Sequence, residues 1–493
     1  MSALWNAVVA RSLEEMLRAA HSSWHTYRLL FAPWLGERLR GHVSRLRAAA
    51  VARAAWRDVP AYRALLAEHG ERPDMRFEDL PVMDKPSYIH RYPLAATCRG
   101  GVLPMHGGVL DESSGASGTA NNWVRGPAER KITQRMIRYA ARATFGDRDF
   151  VVLNAFALGP WATGMTVSMA LAERYLVKSI GPDIAKIVAT LRLLGPSRPY
   201  LIAGYPPFLK LLVDTAELDW SRYEIYAVCG GEGMSEPLRA ALDRRFVKTI
   251  SSFGASDLEI NIAAENDYTI ALRRALIEHP ALGLDLFGAH GSLPMVFQYD
   301  PLDYYLESDA DQNLLVTVNR LTTVSPRIRY NLRDRARILA RSQIDRVLDD
   351  HGVHLALPDG ARRLPLPVLF HWGRQDHAVG FYGCKLTPED LQHAALRVPA
   401  LAPHVAELAL HPFEDAGANR RLELWVELRA GSSLVATPAL ETELLARLAE
   451  VNQDFRESIR MVPADRSPTL RLFPHGASPL GDQDARIKKR YVV

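Results

Sequence analysis

Within seven consecutive positions the chain carries Ser113, Ser114, Gly115, Ser117, Gly118 and Thr119, in a stretch, DESSGASGTANN (residues 111–122), with no apolar residue larger than Ala. Glycines let backbone N–H groups turn inward and hydroxyls add donors, so a loop of this make-up can cradle phosphate oxygens. A flexible surface linker has the same composition. No Gly-Lys-Ser/Thr follows, which separates the stretch from a Walker A loop, and no G-x-S-x-G elbow presents Ser114 or Ser117 as a nucleophile. Further along, GGEGMSEPLRAAL (residues 230–242) sets Gly230, Gly231 and Glu232 after an apolar run and before a helical one. The C-terminal ends of strands are where α/β proteins bind ligands. SSFGASDLE (residues 251–259) repeats the arrangement with Phe253, Gly254, Ser256 and Asp257. An acid placed there suits Mg²⁺, which prefers carboxylate and phosphate oxygens. RIRYNLRDRARIL (residues 327–339) holds Asp334 among five arginines, where a structural ion pair is the plain alternative.

The elements that must position these residues are legible as alternating patterns. DFVVLNAF, RPYLIAGY, EIYAVCGG and VKTISSFG are short apolar runs, and DIAKIVATLRLLG and PPFLKLLVDTAE between them are amphipathic helices. This alternation predicts an α/β fold with mainly parallel sheets flanked by helices. Residues 1–70 have a helical pattern rich in Ala, Leu and Arg, whose basic face reads as solvated, and short Pro- and Gly-punctuated helices extend this lead-in to residue 95. RLELWVELRAG followed by ALETELLARLAEVNQDFRESI reads as strand then helix and predicts a smaller α+β domain at the C-terminus, joined near WGRQDH (residues 372–377).

A chain of 493 residues is about three times the usual length of one domain, so two or three domains are expected. A net charge of +4 from 60 basic and 56 acidic residues gives no reason to expect a nucleic-acid groove. Cys98, Cys229 and Cys384 lie far apart, form no CxxC pair and fit a reducing cytoplasm better than a disulfide or zinc framework. The N-terminus lacks the pattern of a signal peptide. VVLNAFALGPWATGMTVSMALA (residues 151–172) is uncharged and long enough to span a bilayer, yet Asn154, Gly159, Pro160 and Gly164 favour a buried strand, a turn and a helix start. No membrane partner is expected.

Taken in order, these segments resemble the adenylate-forming enzymes, the acyl- and aryl-CoA synthetase superfamily, and within it the phenylacetate–CoA ligase-like branch. The resemblance runs from DVPAYRALL near residue 60 to the end. The family's phosphate loop, roughly S-S-G-T-T-G-K-P, is matched by SSGASGTA, with Ala116 and Ser117 in place of the threonines and Thr119-Ala120 in place of Lys-Pro. The adenine-side turn is matched by Gly230, Gly231 and Glu232. The Y-G-x-T-E motif is matched by FGASD, which would stack Phe253 on adenine and set Ser256 and Asp257 at the phosphates and metal, with Asp one methylene shorter than the usual Glu. The Y-R-T-x-D motif is matched by YNLRD, making Asp334 the acceptor for the ribose hydroxyls. The G-R-x-D hinge is matched by GRQD, with Arg374 on the nucleotide and Asp376 at the hinge. The resemblance thus implies an adenylation domain over 1–372, a hinge over 373–376 and a mobile lid domain over 377–493.

It also implies a chemistry: a carboxylate attacks the α-phosphorus of ATP, pyrophosphate leaves, and the acyl-adenylate passes its acyl group to a thiol, with coenzyme A as the leading acceptor. Positioning and charge stabilisation would lower the barrier. The family's catalytic Lys follows a Gly near the C-terminus; no Gly-Lys occurs in GDQDARIKKRYVV, so Lys488 and then Lys489 are the candidates, a solvated basic tail being the alternative. Phe156, Trp161, Tyr205 and Phe208 are candidates for an acyl pocket that would suit an aryl or apolar acid, core packing being the alternative for each. Three other readings stay open: transfer to an amine, giving an amide; a nucleotide-binding homologue without turnover; and, less supported, a hydrolase using Ser114 or Ser117. The sequence leaves the acid and the oligomeric state open, a homodimer included.

Overall fold

Short apolar runs become strands whose side chains alternate between two cores. The computed structural model describes residues 3–31, 35–70, 75–113, 121–290, 292–374 and 378–479. Strands β1 (Val109–Ser113) and β2 (Asn121–Arg125) form an antiparallel ladder in which Ser113 faces Asn121. Next come β3 (Val151–Asn154), β4 (Leu176–Ser179), β5 (Tyr200–Gly204), β6 (Ile225–Gly230) and β7 (Lys248–Phe253). In the order β4-β3-β5-β6-β7 they pair in parallel. Strands β3 and β5 are buried along their whole length, as befits parallel strands with helices on both faces. Tyr200 and Ile202 enter one core with Leu65, Leu209 and Leu212, while Leu201 and Ala203 enter another with Phe145, Phe150 and Leu171.

The sheet does not end there. Strands β8 (Ala263–Ala264), β9 (Met295–Gln298), β10 (Tyr304–Ser308), β11 (Asn313–Val318), β12 (Tyr330–Leu339) and β13 (Val368–Arg374) extend it to eleven strands, in the order β10-β11-β12-β13-β9-β8-β7. Every pairing in this half is antiparallel. The long strand β12 alternates buried and exposed residues over most of its length, a signature of a strand with one wet face. The uncharged run at residues 151–172 resolves into β3 and the helix Ala162–Ala172, and among the described residues no helix is long and apolar enough to cross a membrane.

A third core belongs to the C-terminal part of the chain. Strands β14 (Val379–Phe381) and β15 (Cys384–Leu386) form a hairpin, and β16 (Val405–Glu414), β17 (Arg420–Leu428) and β18 (Thr469–Phe473) form a small mixed sheet. Phe381, Leu391, Leu424, Leu444 and Phe455 pack together there, and Leu211 of the larger body joins them.

The lead-in helices correct one reading of the sequence. Their basic residues are not all solvated: in the helix Glu37–Asp58, Arg40 and Arg47 are buried. Arg40 pairs with Asp300 at 3.4 Å, and Arg47 donates to the carbonyls of Leu302 (3.1 Å) and Asn319. Arginine can thus tie a helix to loop carbonyls from inside the protein, a use that amphipathic patterning does not reveal.

Glu129 offers a test of this packing. It stands in the first turn of the helix Pro127–Phe145, accepts a hydrogen bond from the Gly126 N–H, and is 1% exposed. Burial pushes its carboxyl up to about 7, against the pull of Arg125 and of the Gly126 N–H. A raised carboxyl means that the folded chain holds a proton the unfolded chain has released. Stability should therefore fall as pH rises from the ordinary glutamate range to about 7, by roughly 3 kcal/mol across that window. Denaturant unfolding at several pH values should show this slope in the parent and a flatter one in Glu129→Gln. Equal slopes would refute the assignment.

Candidate functional site

The C-terminal ends of β3, β5, β6 and β7 open onto one cavity of about 1260 Å³. Glycine supplies close backbone approach at the end of β6. Gly230, Gly231 and Glu232 line the cavity there, and Phe253 and Gly254 line it at the end of β7. The loop between β7 and β8 brings Ser256 and Asp257 to the same wall, and Asp334 and Arg374, paired across β12 and β13, face them. Ser113 lines the cavity at the end of β1. Phe156, Trp161 and Tyr205 also line it, whereas Phe208 does not: it is 2% exposed and packs in the core between sheet and helices. Phe208 lies on the helix Pro206–Thr215, where it faces the core. Ser114, Gly115, Ser117, Gly118, Thr119, Asp376, Lys488 and Lys489 lie outside the described residues.

Several side chains fix the loop that carries Asp257. Arg125 donates to the Ser256 carbonyl, and Arg327 donates to the Asp257 carbonyl at 3.2 Å. Glu259, two residues on, is gripped by Arg320 and by the Tyr304 hydroxyl at 2.6 Å. The Asp257 carboxylate accepts a hydrogen bond from Tyr330 at 2.9 Å and pairs with Lys85 at 3.3 Å, both on Oδ2. Burial alone would raise this carboxyl; Lys85, Tyr330, Lys385 and Arg374 together outweigh burial and hold it below the usual range.

Lys85 is a functional candidate that motif reading missed. Backbone hydrogen bonds between Met83 and the Arg329–Asn331 stretch hold its segment against β12, and Asp84 caps the short helical turn that follows. His371 is another. Its Nε2 lies 3.2 Å from Asp334 Oδ2, and its ring lies 4.4 Å from that of Phe253. Neither belongs to a glycine-marked turn, so nothing in the local sequence flags them.

The C-terminal hairpin closes one side of the cavity. The N–H of Gly383 donates to Glu232, and Gly380, Gly383 and Lys385 line the cavity. Burial raises the Glu232 carboxyl, opposed by Arg420, by that N–H and by Lys385. The ring of Tyr205 lies between two glycines with positive φ. A Cβ on Gly231 (φ +82°) would sit 2.9 Å from the ring and one on Gly383 (φ +91°) 2.6 Å from it. Only bare backbone fits on either side. Elsewhere Arg466 reaches Asp214 at 3.1 Å and Ser235 donates to Glu414 at 2.5 Å.

No protein-family model and no curated protein sequence matches the chain. Solved structures do. A 2-hydroxyisobutyryl-CoA ligase in complex with 2-HIB-AMP and CoA, in its thioesterification state, aligns with a TM-score of 0.62 at 16% identity over 93% of this chain and 90% of that one. The same ligase in a postadenylation state with R3-HIB-AMP aligns with a TM-score of 0.52 at 16% identity over the same shares. An open form with 2-HIB-AMP and CoA gives 0.50 at 15% identity, over 91% of this chain and 90% of that one. The chain has the fold of the adenylate-forming enzymes, with a large helix-flanked sheet and a small C-terminal sheet.

The contact at Tyr205 yields a double-mutant test. Gly383→Ala should destabilise the chain by about 1–3 kcal/mol, through overpacking and a strained φ. In a Tyr205→Ala background that penalty should shrink to less than half, since the ring that collides with the new methyl is gone. Denaturant unfolding of the four proteins measures it, and an undiminished penalty would show that the ring is not the obstacle.

Proposed function

We propose that the protein activates an apolar carboxylic acid with ATP, through an acyl-adenylate and release of pyrophosphate, and passes the acyl group to a thiol, coenzyme A being the acceptor. The observation that carries this reading is the convergence of Glu232, Asp257, Asp334 and Arg374 on one cavity that continues as an apolar channel. In this reading the acid's carboxylate oxygen attacks the α-phosphorus and pyrophosphate leaves. The thiol then attacks the acyl carbon and AMP leaves. Asp334 accepts the ribose hydroxyls, Phe253 offers a ring to adenine, and Arg374 and Lys85 supply positive charge at the phosphates. The Ser/Gly loop over residues 113–119 holds the leaving pyrophosphate, and Lys488 or Lys489 serves the first half-reaction. Asp257 would be the carboxylate that holds a Mg²⁺ arriving with the nucleotide, and the ion would supply positive charge at the phosphates. Lys85, now on that carboxylate, would shift toward the phosphates.

The channel supports an apolar tail on the acid. Ile137, Ala140, Ala141, Thr144 and Phe145 line it from one face of the helix Pro127–Phe145, with Leu201, Val228 and Ile250 of the sheet opposite. At 1.5 Å per residue that face runs for about 12 Å, and small residues keep it open. Arg420 and Arg460 also line the cavity, positive charge that suits the phosphates of coenzyme A.

The deciding experiment is acid-dependent exchange of pyrophosphate into ATP across linear and aryl acids. Exchange with apolar acids, lowered about 100-fold or more in Asp334→Ala, is expected. AMP binding without exchange for any acid would leave a nucleotide-binding protein in place of an enzyme. Channel length has its own check. Ala140→Phe should cut kcat/KM for the longest accepted acid by about 10–200-fold for each methylene displaced, while sparing short acids. A uniform loss across chain lengths would mean that the channel does not hold the tail.

A further inference from the structure

A break in strand pairing brings Asp334, Arg374 and His371 to one face of the sheet. Along β12 and β13 the register sets Asp334 opposite Arg374, Arg335 opposite Gly373, then Ala336 opposite His371, which leaves Trp372 without a partner. This is a β-bulge, and Gly373 takes a positive φ of +84°, as bulges often require. Side chains directly opposite one another share a face, and so do alternate residues of one strand. Asp334 and Ala336 therefore share a face, and Arg374 and His371 share it with them. On an unbroken strand His371 and Arg374 would point to opposite faces. The extra residue is held aside: the Trp372 ring packs on Phe287 and His290, and its Nε1 donates to the Ser292 carbonyl at 2.9 Å.

The bulge sets His371 between two groups that the nucleotide reading uses. Its Nε2 lies 3.2 Å from Asp334 Oδ2, and its ring lies 4.4 Å from that of Phe253 and 6.3 Å from that of Phe297. Nε2 is sealed from solvent and has no aligned hydrogen-bond partner among the described residues, the Asp334 contact being close but off line. A buried polar atom in that state is costly, and hydrogen bonds within a site tighten when the ligand arrives. We propose that His371 is a positioning residue for nucleotide selection. Its Nε2–H holds one oxygen of Asp334, which turns the other oxygen to the ribose hydroxyls, and the preference for a ribonucleotide follows from that fixed carboxylate. This rests on the adenylate-forming reading above. The plain alternative is packing alone, with His371 serving only as a support behind the Phe253 ring.

Calorimetry of AMP, 2′-deoxy-AMP and 3′-deoxy-AMP with the full chain tests the proposal without turnover. The parent should bind AMP about tenfold or more tighter than at least one deoxy form. His371→Phe keeps a ring against Phe253 and removes the donor, so its preference should fall below about threefold. His371→Gln keeps a donor and removes the ring, so its preference should stay within about threefold of the parent's. A Phe variant that keeps the preference, or a Gln variant that loses it as fully as the Phe variant, overturns the proposal. In an Asp334→Ala background, His371→Phe should change AMP affinity by less than about threefold, because the carboxylate it acts through is gone. A full further loss there would also overturn it. Denaturant unfolding confirms that each variant is folded before its affinities are compared. A parent that binds both deoxy forms as tightly as AMP sinks the reading of Asp334 as the ribose acceptor itself, a result seen before any variant is made.

Discussion

The buried pair of Arg320 and Glu259 holds the centre of this structure. Arg320 is 1% exposed and Glu259 5% exposed. Burying two charges is costly, and removing one partner of such a pair leaves the other stranded at a cost of about 3–5 kcal/mol. Here the pair is extended on both sides. The Tyr304 hydroxyl donates to Glu259, Asp303 lies 3.2 Å from Arg320, and His21 of the lead-in helices lies 3.4 Å from Asp303. A hydrophobic contact at this place would be cheaper, but it would not fix a loop in one geometry. Glu259 lies two residues from Asp257, so the network sets where the Asp257 carboxylate stands. It also explains why helices far ahead of the site in sequence are bound so closely to the sheet.

Four strands of the parallel half, β3, β5, β6 and β7, were legible as short apolar runs, three of them ending at or near glycine, whereas the exposed edge strand β4 (LVKS) was not; the candidate site followed because ligands gather where such strands end. Gly230, Gly231, Glu232, Phe253, Ser256, Asp257, Asp334 and Arg374 meet at one cavity because the fold brings successive strand ends together. Other parts were not legible. The antiparallel half consists of shorter, mixed strands whose pairing depends on distant partners. Lys85 is a single lysine with no glycine-marked turn of its own, and Lys385 follows the Gly383 turn of a short hairpin; both acquire meaning only when β12 and that hairpin carry them to one cavity. Phe208 failed as a pocket residue for a simple reason. Residues three apart on a strand and on a helix point in different directions, and the chain turns from one to the other between Tyr205 and Phe208.

The apolar channel shows how one helix can shape a cavity. Ile137, Ala140, Ala141, Thr144 and Phe145 follow the spacing that places side chains in one row, and the small members of that row leave the space. The helix that lines it begins at Pro127, with the buried Glu129 in its first turn, directly after β2 in the chain. The Ser/Gly stretch and the channel wall are thus near neighbours in the chain, separated by β2.

Because the cavity is walled by both bodies, any occupant that touches Asp334 on one side and Lys385 on the other acts as an adhesive between them. Linkage then makes two apparently separate quantities one: the free energy by which the occupant tightens the contact equals that by which the contact tightens the occupant. The bare backbone of Gly383 against Tyr205 and its N–H on Glu232 are joined in this seam by Arg466 with Asp214, Ser235 with Glu414, and Leu211 in the C-terminal core. What the cavity holds adds to these contacts, so each exchange of an occupant's charge or shape changes the strength of the seam.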